Sequence, residues 1–147
     1  MWGTYADNHG GCVVGFKASL KDSPFHVAKP VTYSEEAPIV GSGLDFLLYG
    51  DSQELRRRTI EAVCYTKKSG WSYEQEWRLI TRRPNETDVT HGDYVFCPEE
   101  IESVTFGARA KPKFAEAICA ITRKQYPAAS LFRMTHQKGE LSRIRVA

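Results

Sequence analysis

Hydrophobic residues fall in short groups along the chain, separated by turn-forming residues, and their spacing predicts both strands and helices. Short apolar runs, or alternation of apolar and polar residues over roughly four to eight positions, are typical of strands. The segments with such a pattern are 11–17, 27–33, 73–82, 94–97, 101–107, 131–137 and 140–146. Pro30 confines the second segment to an edge or a bulge, because proline has no N–H to donate to a neighbouring strand. Lys138 and Gly139 separate the last two segments, which predicts a hairpin.

Two longer segments, 53–66 and 112–126, have apolar residues at the spacing of an amphipathic helix. The residues expected on their buried faces are Leu55, Ile60, Val63 and Cys64 in the first and Phe114, Ala117, Ile118 and Ile121 in the second. Asp51 or Ser52 is the expected N-cap of the first helix, and a proline begins the second. Residues 44–49 predict a shorter helix.

The order of these elements predicts an α+β fold with a mixed, mostly antiparallel sheet and two main helices. Several neighbouring strands are joined by connections too short for a helical crossover, and such connections favour antiparallel pairing. The chain of 147 residues has no repeat, low-complexity tract or linker. We therefore expect residues 1–147 to form a single domain.

Composition narrows the classes of function. Twenty Lys and Arg residues stand against 18 Asp and Glu residues, for a net charge of +2, which argues against a nucleic-acid partner. No apolar run approaches the roughly 20 residues of a transmembrane helix, and no secretory leader is visible. We therefore expect a cytoplasmic protein with no membrane partner. The four cysteines are widely spaced and form no C-x-x-C pair, so no metal site is expected.

A first group of candidate residues lies near the start of the chain. Asp7 and His9 are two positions apart and precede Gly10, and Tyr5 lies just before them. In one interpretation Asp7 orients His9 as a hydrogen-bond donor or base, and the glycine leaves room for a nucleotide. In the other, Asp7 and Asn8 stabilise an ordinary turn and His9 has no role. The residues alone leave both open.

The second group is the stretch 71–78, in which acidic, basic and aromatic residues alternate. As a strand it would place Glu74, Glu76 and Arg78 on one face, with Trp77 and Leu79 turned towards a core. Two carboxylates about 7 Å apart repel each other unless a cation, a hydrogen-bond network or a ligand lies between them.

Two interpretations of this stretch also remain open. In one, the carboxylates are the acids of a catalytic site, with Tyr73 and Arg78 contacting the ligand. In the other, they form structural pairs with Arg78 that join one strand to its neighbour. The pattern does not establish whether the protein is an enzyme.

Longer motifs resemble those of a family of uncharacterised prokaryotic proteins. The start, Met1-Trp2-Gly3-Thr4-Tyr5-Ala6-Asp7-Asn8-His9-Gly10, resembles a W-x-x-Y-A-D-x-H-x-G motif of that family. The block from Lys67 or Lys68 to Arg78 resembles a motif that contains W-x-Y-E-x-E-W-R. Further similarity lies at residues 31–33, where Val31 replaces the first tyrosine of a Tyr-x-Tyr pattern, and at residues 101–108. The resemblance covers most of the chain, in order, but implies no particular activity.

The Glu-x-Glu pattern is also similar to the glutamate motif of ADP-ribosyltransferases, which split NAD and transfer ADP-ribose. That similarity implies that Glu76 stabilises the oxocarbenium-like ribose and that Glu74 lies on the acceptor side. The two groups of residues described above add His9 as a third catalytic candidate. They also make Tyr5, Asp7, Gly10, Tyr73 and Arg78 the ligand-binding candidates. The similarity to ADP-ribosyltransferases implies that Tyr5 or Tyr73 stacks on nicotinamide. It also implies NAD as cofactor or substrate, although the residues fix no cofactor.

The same family resemblance implies a competing interpretation. Its members carry a segment before the Trp-x-x-Tyr-Ala-Asp block, whereas this chain starts within that block. We therefore expect an N-terminally shortened member. It would complete its site across a homodimer, or act as a non-catalytic dimeric interaction module.

Overall fold

A computed structural model describes residues 2–18, 23–50, 52–80, 96–137 and 139–146. In chain order, its helices and strands are α1 (Trp2–Tyr5), β1 (Cys12–Phe16), a 3₁₀ helix (Pro24–Val27), β2 (Lys29–Pro30), β3 (Thr32–Ser34), α2 (Gly43–Tyr49), α3 (Gln53–Tyr65), β4 (Thr66–Lys68), a 3₁₀ helix (Ser69–Glu74), β5 (Trp77–Arg78), a 3₁₀ helix (Pro98–Glu100), β6 (Ile101–Phe106), α4 (Pro112–Gln125), β7 (Ser130–Gln137) and β8 (Glu140–Arg145).

These elements fall into two compact units. Unit 1 comprises Met1–His26 and Thr90–Ala147, and unit 2 comprises Val27–Val89. Unit 1 is therefore built from both ends of the chain, with unit 2 inserted between them in sequence. That the whole chain is a single domain stays a prediction.

Unit 1 contains a four-stranded sheet with the strand order β1-β6-β7-β8. β1 pairs with β6 and β7 pairs with β8 in antiparallel fashion, whereas β6 and β7 are parallel. A parallel pair needs a crossover connection, and α4 supplies it. The prediction of an α+β fold with a mixed, mostly antiparallel sheet and two main helices is confirmed.

The core of unit 1 lies between α4 and one face of this sheet. Its buried residues are Val104, Phe106, Ala110 and Leu131, and Ala115, Ile118 and Cys119 of α4 pack against them. Of the predicted inner face of α4, Ile118 packs on the core as expected, whereas Phe114 and Ile121 remain 38% and 48% exposed. The helix itself begins at Pro112 as predicted.

Unit 2 combines α2 and α3 with two small sheets. β2 pairs antiparallel with β5, and β3 pairs parallel with β4. The Ser52 side chain accepts a hydrogen bond from the backbone N–H of Leu55 and so caps α3, as one of the two predicted caps. Leu55 and Ala62 are the buried residues of α3. Ile60 and Val63, which were predicted to face the core, are 48% and 68% exposed.

Three predicted strands differ from the structure. Segment 27–33 is split into β2 and β3 by Val31, whose N–H donates to the carbonyl of Glu76. Segment 73–82 is a strand only at Trp77–Arg78, and its residues 81 and 82 lie outside the described residues. Phe96 and Cys97 are not in a strand, and positions 94 and 95 are likewise outside the described part.

Candidate functional site

Two groups of candidate residues can be built from the structure, one in each unit. The first is the turn Asp7–Gly11 in unit 1, which follows α1 and leads into β1. The second is the carboxylate cluster of Lys67, Glu74, Glu76 and Arg78 in unit 2. Each is described within its own unit.

The turn has an unusual backbone, because three consecutive non-glycine residues have left-handed dihedral angles. The φ angles of Asp7, Asn8 and His9 are 49°, 48° and 67°. Left-handed geometry disfavours most side chains, and Asp, Asn and His are the non-glycine residues that adopt it most readily. The three residue types therefore suit the conformation that the turn requires.

Hydrogen bonds and close contacts hold this turn against the end of β6. The N–H of His9 donates to the carbonyl of Trp2 at 3.2 Å, and its own carbonyl accepts from the N–H of Arg109 at 2.9 Å. A Cβ at Gly107 would lie only 2.1 Å from that same His9 carbonyl oxygen. The turn thus reaches its position only because residue 107 has no side chain.

The imidazole of His9 lies between two other rings. It stacks on Trp2, with ring centroids 6.1 Å apart, and its centroid is 6.2 Å from that of His136. Its Nδ1 atom is buried and has no hydrogen-bond partner among the described residues. Among the described residues, His9 Nδ1 donates no hydrogen bond to the Asp7 carboxylate, so the structure gives no support to an Asp7–His9 pair.

A cavity of about 610 Å³ adjoins the turn, and we call it the turn cavity. Its lining residues are Asp7, Asn8, Gly10, Gly11, Arg109, Lys111 and Phe114. Two of the predicted ligand-binding residues, Asp7 and Gly10, are therefore in its wall. The sequence analysis missed Arg109, Lys111 and Phe114, because nothing in the local pattern shows that residues a hundred positions later meet this turn.

The carboxylate cluster is a continuous chain of ion pairs. Nζ of Lys67 is 2.5 Å from an oxygen of Glu74 and 3.3 Å from one of Glu76. Glu76 also accepts hydrogen bonds from Nε and Nη2 of Arg78, at 2.5 Å and 3.1 Å. The guanidinium is fixed from its other end, because Nη1 donates to the carbonyl of Cys64 at 2.7 Å. Two acids thus share one ammonium group, and a second cation holds Glu76.

The backbone here differs from the predicted strand. Glu74 ends a 3₁₀ helix, and Gln75 has a left-handed φ of 47° with its N–H bonded to the carbonyl of Ser72. The chain therefore turns between the two glutamates instead of alternating their side chains across a strand. Trp77, predicted to enter the core, is 66% exposed.

Charge pairing sets the protonation of this cluster. The hydrogen bond from Arg78 is the main cause that lowers the pKa of Glu76 below its ordinary value. Desolvation opposes this shift, and the hydrogen bond from Lys67 adds a smaller lowering. The pKa of Lys67 is raised, chiefly by its hydrogen bond to Glu74. Glu76 is therefore a carboxylate at neutral pH, which suits the stabilisation of positive charge and does not suit a general acid.

Burial separates the two glutamates. The side chain of Glu74 is 5% exposed, whereas that of Glu76 is 28% exposed. The N–H of Glu76 donates to the hydroxyl oxygen of Tyr33 at 2.8 Å, which fixes its backbone. Glu76 is thus the acid that a ligand could reach, and Glu74 is largely enclosed.

Aromatic rings lie next to the carboxylates. Nζ of Lys67 is 4.8 Å from the ring centroid of Trp71, within cation–π range. Tyr73 tilts against Trp71 with centroids 6.1 Å apart, and the two residues are 56% and 43% exposed. Exposed rings beside charged groups can stack on a planar heterocycle.

The structure therefore brings Glu74, Glu76, Arg78 and Tyr73 into one cluster, and Asp7, His9 and Gly10 into one turn. Tyr5 lies at the end of α1 and is 62% exposed. Lys67 and Tyr33 were missed as site residues, although both lie in the motifs that carried the family resemblance.

Neither group has the composition of a metal centre. Among the described residues, no cluster holds three or more His, Cys, Asp or Glu side chains in positions to bind a metal ion. No helix in the described ranges has the length and apolarity that a membrane span requires.

Comparison with models of known protein families gives a match. The model of a family described as Protein of unknown function (DUF2971) matches residues 1–79, which is more than half of the chain and includes both the turn and the carboxylate cluster. No curated protein and no solved structure matches the chain significantly. On this evidence the chain belongs to the DUF2971 family.

Proposed function

We propose that the protein binds NAD and acts as an ADP-ribosyltransferase-like domain in which Glu76 is the catalytic residue. The observation that carries this proposal is the state of Glu76, an ionised carboxylate that is partly exposed and held by Arg78 and Lys67. Exposed aromatic rings beside it supply a surface for nicotinamide.

The chemistry needs a fixed negative charge. When the bond between ribose C1′ and the nicotinamide nitrogen breaks, its electron pair leaves with nicotinamide and C1′ becomes oxocarbenium-like. A carboxylate held near C1′ stabilises that positive charge more in the transition state than in bound NAD. An acceptor then attacks C1′ and loses its proton, which completes the transfer.

The remaining residues have supporting roles in this proposal. Arg78 fixes Glu76 and offers charge to a ligand phosphate, and Tyr73 stacks on nicotinamide. Glu74 was predicted to act on the acceptor, and its 5% exposure requires that its side chain be uncovered before an acceptor reaches it. His9 and Tyr5 lie in unit 1, and this proposal gives them no part in the chemistry at Glu76. The setting we propose is a prokaryotic cytoplasm, where NAD is available.

Calorimetric titration of NAD into wild-type protein and Glu76→Gln tests the proposal, with nicotinamide release measured in parallel. The amide keeps the shape of the carboxylate and removes its charge. We expect nicotinamide release to fall by about a hundredfold or more in the variant, as for loss of one electrostatic stabiliser.

Glu61→Gln is the matched control, because Glu61 pairs with Arg57 on the exposed surface of α3. It should leave both NAD binding and nicotinamide release unchanged. Absence of heat with NAD, or equal nicotinamide release by the Glu76 and Glu61 variants, would contradict the proposal.

A second candidate is a non-catalytic interaction module that forms a homodimer. Two observations favour it. Lys67 encloses Glu74, as expected of a structural ion pair. Unit 2 also exposes large apolar side chains on and before α2, including Leu44 at 62%, Leu47 at 81% and Ile39 at 91%. Apolar surface of this kind often marks a protein–protein interface.

A further inference from the structure

We infer that the turn cavity of unit 1 binds a nucleoside phosphate, with Arg109 and Lys111 on the phosphate, Asp7 on the ribose and Phe114 on the base. This inference rests on the nucleotide-binding part of the proposed function. It does not depend on any chemistry at Glu76.

The size of the turn cavity suits such a ligand. Its volume of about 610 Å³ falls within the range of roughly 300–1,000 Å³ that is usual for small-molecule sites. Gly10 and Gly11 contribute only backbone to its wall, so no side chain of theirs narrows it. A Cβ at Gly10 would come within 2.9 Å of the Asp7 carbonyl oxygen, so the turn itself requires this residue to be small.

Two cations in the wall have no partner in the described part of the chain. Arg109 uses its backbone N–H on His9, while its guanidinium forms no hydrogen bond or ion pair with a described residue. The ammonium of Lys111 likewise forms none with those residues. Guanidinium binds phosphate oxygens through two parallel hydrogen bonds, and lysine adds a second positive charge. The cavity therefore favours an anion at this side.

The rest of the wall distinguishes a nucleotide from a bare anion. Asp7 repels a phosphate, but its carboxylate oxygens accept hydrogen bonds from hydroxyl groups, as a ribose supplies. Phe114 packs edge-on against the buried Phe106, with centroids 6.5 Å apart, and is itself 38% exposed. A ring fixed from behind and open in front is a surface on which a base can stack. The cavity wall therefore has a group for each part of a nucleoside phosphate: a carboxylate for the ribose, an aromatic ring for the base and two cations for the phosphate.

Calorimetry on the full chain with ADP-ribose tests this assignment. ADP-ribose has the phosphates, ribose and base of NAD but no nicotinamide, so its binding requires no bond cleavage. We expect Arg109→Gln to weaken binding by about tenfold or more, because one charge-assisted pair is lost. Phe114→Leu should weaken it by a similar factor through the loss of base stacking.

Lys113→Gln is the matched control, since Lys113 is exposed in the first turn of α4 and is not in the wall of the cavity. Like Arg109→Gln, it removes one positive charge. If the effect comes from a place in the cavity wall and not from net charge, Lys113→Gln should bind ADP-ribose within about twofold of wild type. Arg109→Lys should recover part of the loss and guards against a misfolded variant. Equal weakening by the Lys113 and Arg109 substitutions would overturn the inference.

Fragments of the ligand separate the contributions. AMP should bind more tightly than either adenosine or inorganic pyrophosphate, because only AMP engages both the cations and Phe114. Equal binding of pyrophosphate and AMP would show an anion site without base recognition and would overturn the nucleotide assignment.

The two proposals fail in different ways. If ADP-ribose binds and depends on Arg109 while Glu76→Gln leaves nicotinamide release unchanged, the chemistry at Glu76 is wrong and the cavity assignment stands. If nicotinamide release depends on Glu76 while Arg109→Gln binds ADP-ribose normally, the cavity assignment alone is wrong. Absence of ADP-ribose binding at millimolar concentration also overturns the cavity assignment.

Discussion

At the scale of single residues, a few side chains carry most of the polar organisation. Lys67 contacts both glutamates and lies over Trp71, so one ammonium group links two residues of the carboxylate cluster to a neighbouring ring. Glu76 accepts hydrogen bonds from Lys67 and Arg78. Removing either cation leaves a partly buried carboxylate with fewer positive charges near it. Loss of one partner of such an ion pair destabilises the folded protein, because the remaining charge is still desolvated.

The lowered pKa of Glu76 predicts a dependence of stability on pH. Its folded pKa is below the ordinary value of 4.5, so ionised Glu76 stabilises the native state fully above about pH 4.5. That contribution is lost as the pH falls through the folded pKa. We expect the free energy of unfolding of wild type, from urea titrations between about pH 3 and 6, to fall more steeply towards acid than that of Glu76→Gln.

Glu35→Gln serves as the reference for this measurement, because Glu35 is exposed in the same unit. At each pH, the free energy of unfolding of a variant is subtracted from that of wild type, which removes the contributions of the other acids. One of these is Glu54, whose pKa is lowered to about 2 by Arg57 and Arg58. Parallel pH profiles for wild type and Glu76→Gln would show that the cluster does not stabilise the fold.

At the scale of elements, the approach of the turn to β6 depends on Gly107. The carbonyl of His9 lies where a side chain at residue 107 would begin, and β6 ends at the preceding residue. The position of the turn, and so of the turn cavity, therefore depends on the absence of a side chain at residue 107, although this residue does not line the cavity.

Gly107→Ala should destabilise the protein by about 3 kcal/mol, because its Cβ would overlap backbone atoms that cannot rotate away. Chemical denaturation measures this loss. Gly70→Ala is the control, since a Cβ there meets nothing within 4 Å, and it should change the free energy of unfolding by less than about 0.5 kcal/mol. Equal effects of the two substitutions would mean that the turn relaxes away from β6 at little cost.

Elements with strong local signals were predictable from the sequence. The helical spacing and cap of α3, the proline that begins α4, and the turn before β8 each specify an element through neighbouring residues. The strand predicted over 73–82 is present only at Trp77–Arg78 among the described residues. Its expected start was wrong because the alternating pattern does not reveal the left-handed turn at Gln75.

The candidate site was predictable to a similar extent. Glu74, Glu76 and Arg78 form one cluster as their spacing suggested, since they are close in sequence. Arg109 meets the turn at His9 only through the pairing of β1 with β6, a long-range contact that local pattern does not encode. Contacts set by the tertiary fold were therefore the ones missed.

At the scale of the whole molecule, the exposed apolar surface of unit 2 bears on oligomeric state. Ile39, Leu44 and Leu47 expose most of their area to solvent in the single chain. Burial of such side chains in a second copy would gain roughly 25 cal/mol per Å² of apolar area. This is the physical basis for the homodimer that the second candidate function requires.

Light scattering tests the homodimer directly. We expect a dimer at micromolar concentration that Leu47→Glu converts to a monomer, because a charge placed at the interface would be buried without a partner. Ile121→Glu, at a 48% exposed position on α4, is the control and should leave the mass unchanged. A wild-type monomer at about 100 µM would contradict the homodimer proposal.

The division of unit 1 between the two ends of the chain has a consequence for biosynthesis. β1 leaves the ribosome early, but its neighbour begins at Ile101, and the two pair Cys12 with Phe106. All of unit 2 is translated between β1 and that neighbour, so β1 must wait several seconds without its partner. A chaperone that shields short exposed strands during translation would therefore act on β1 while unit 2 is being made.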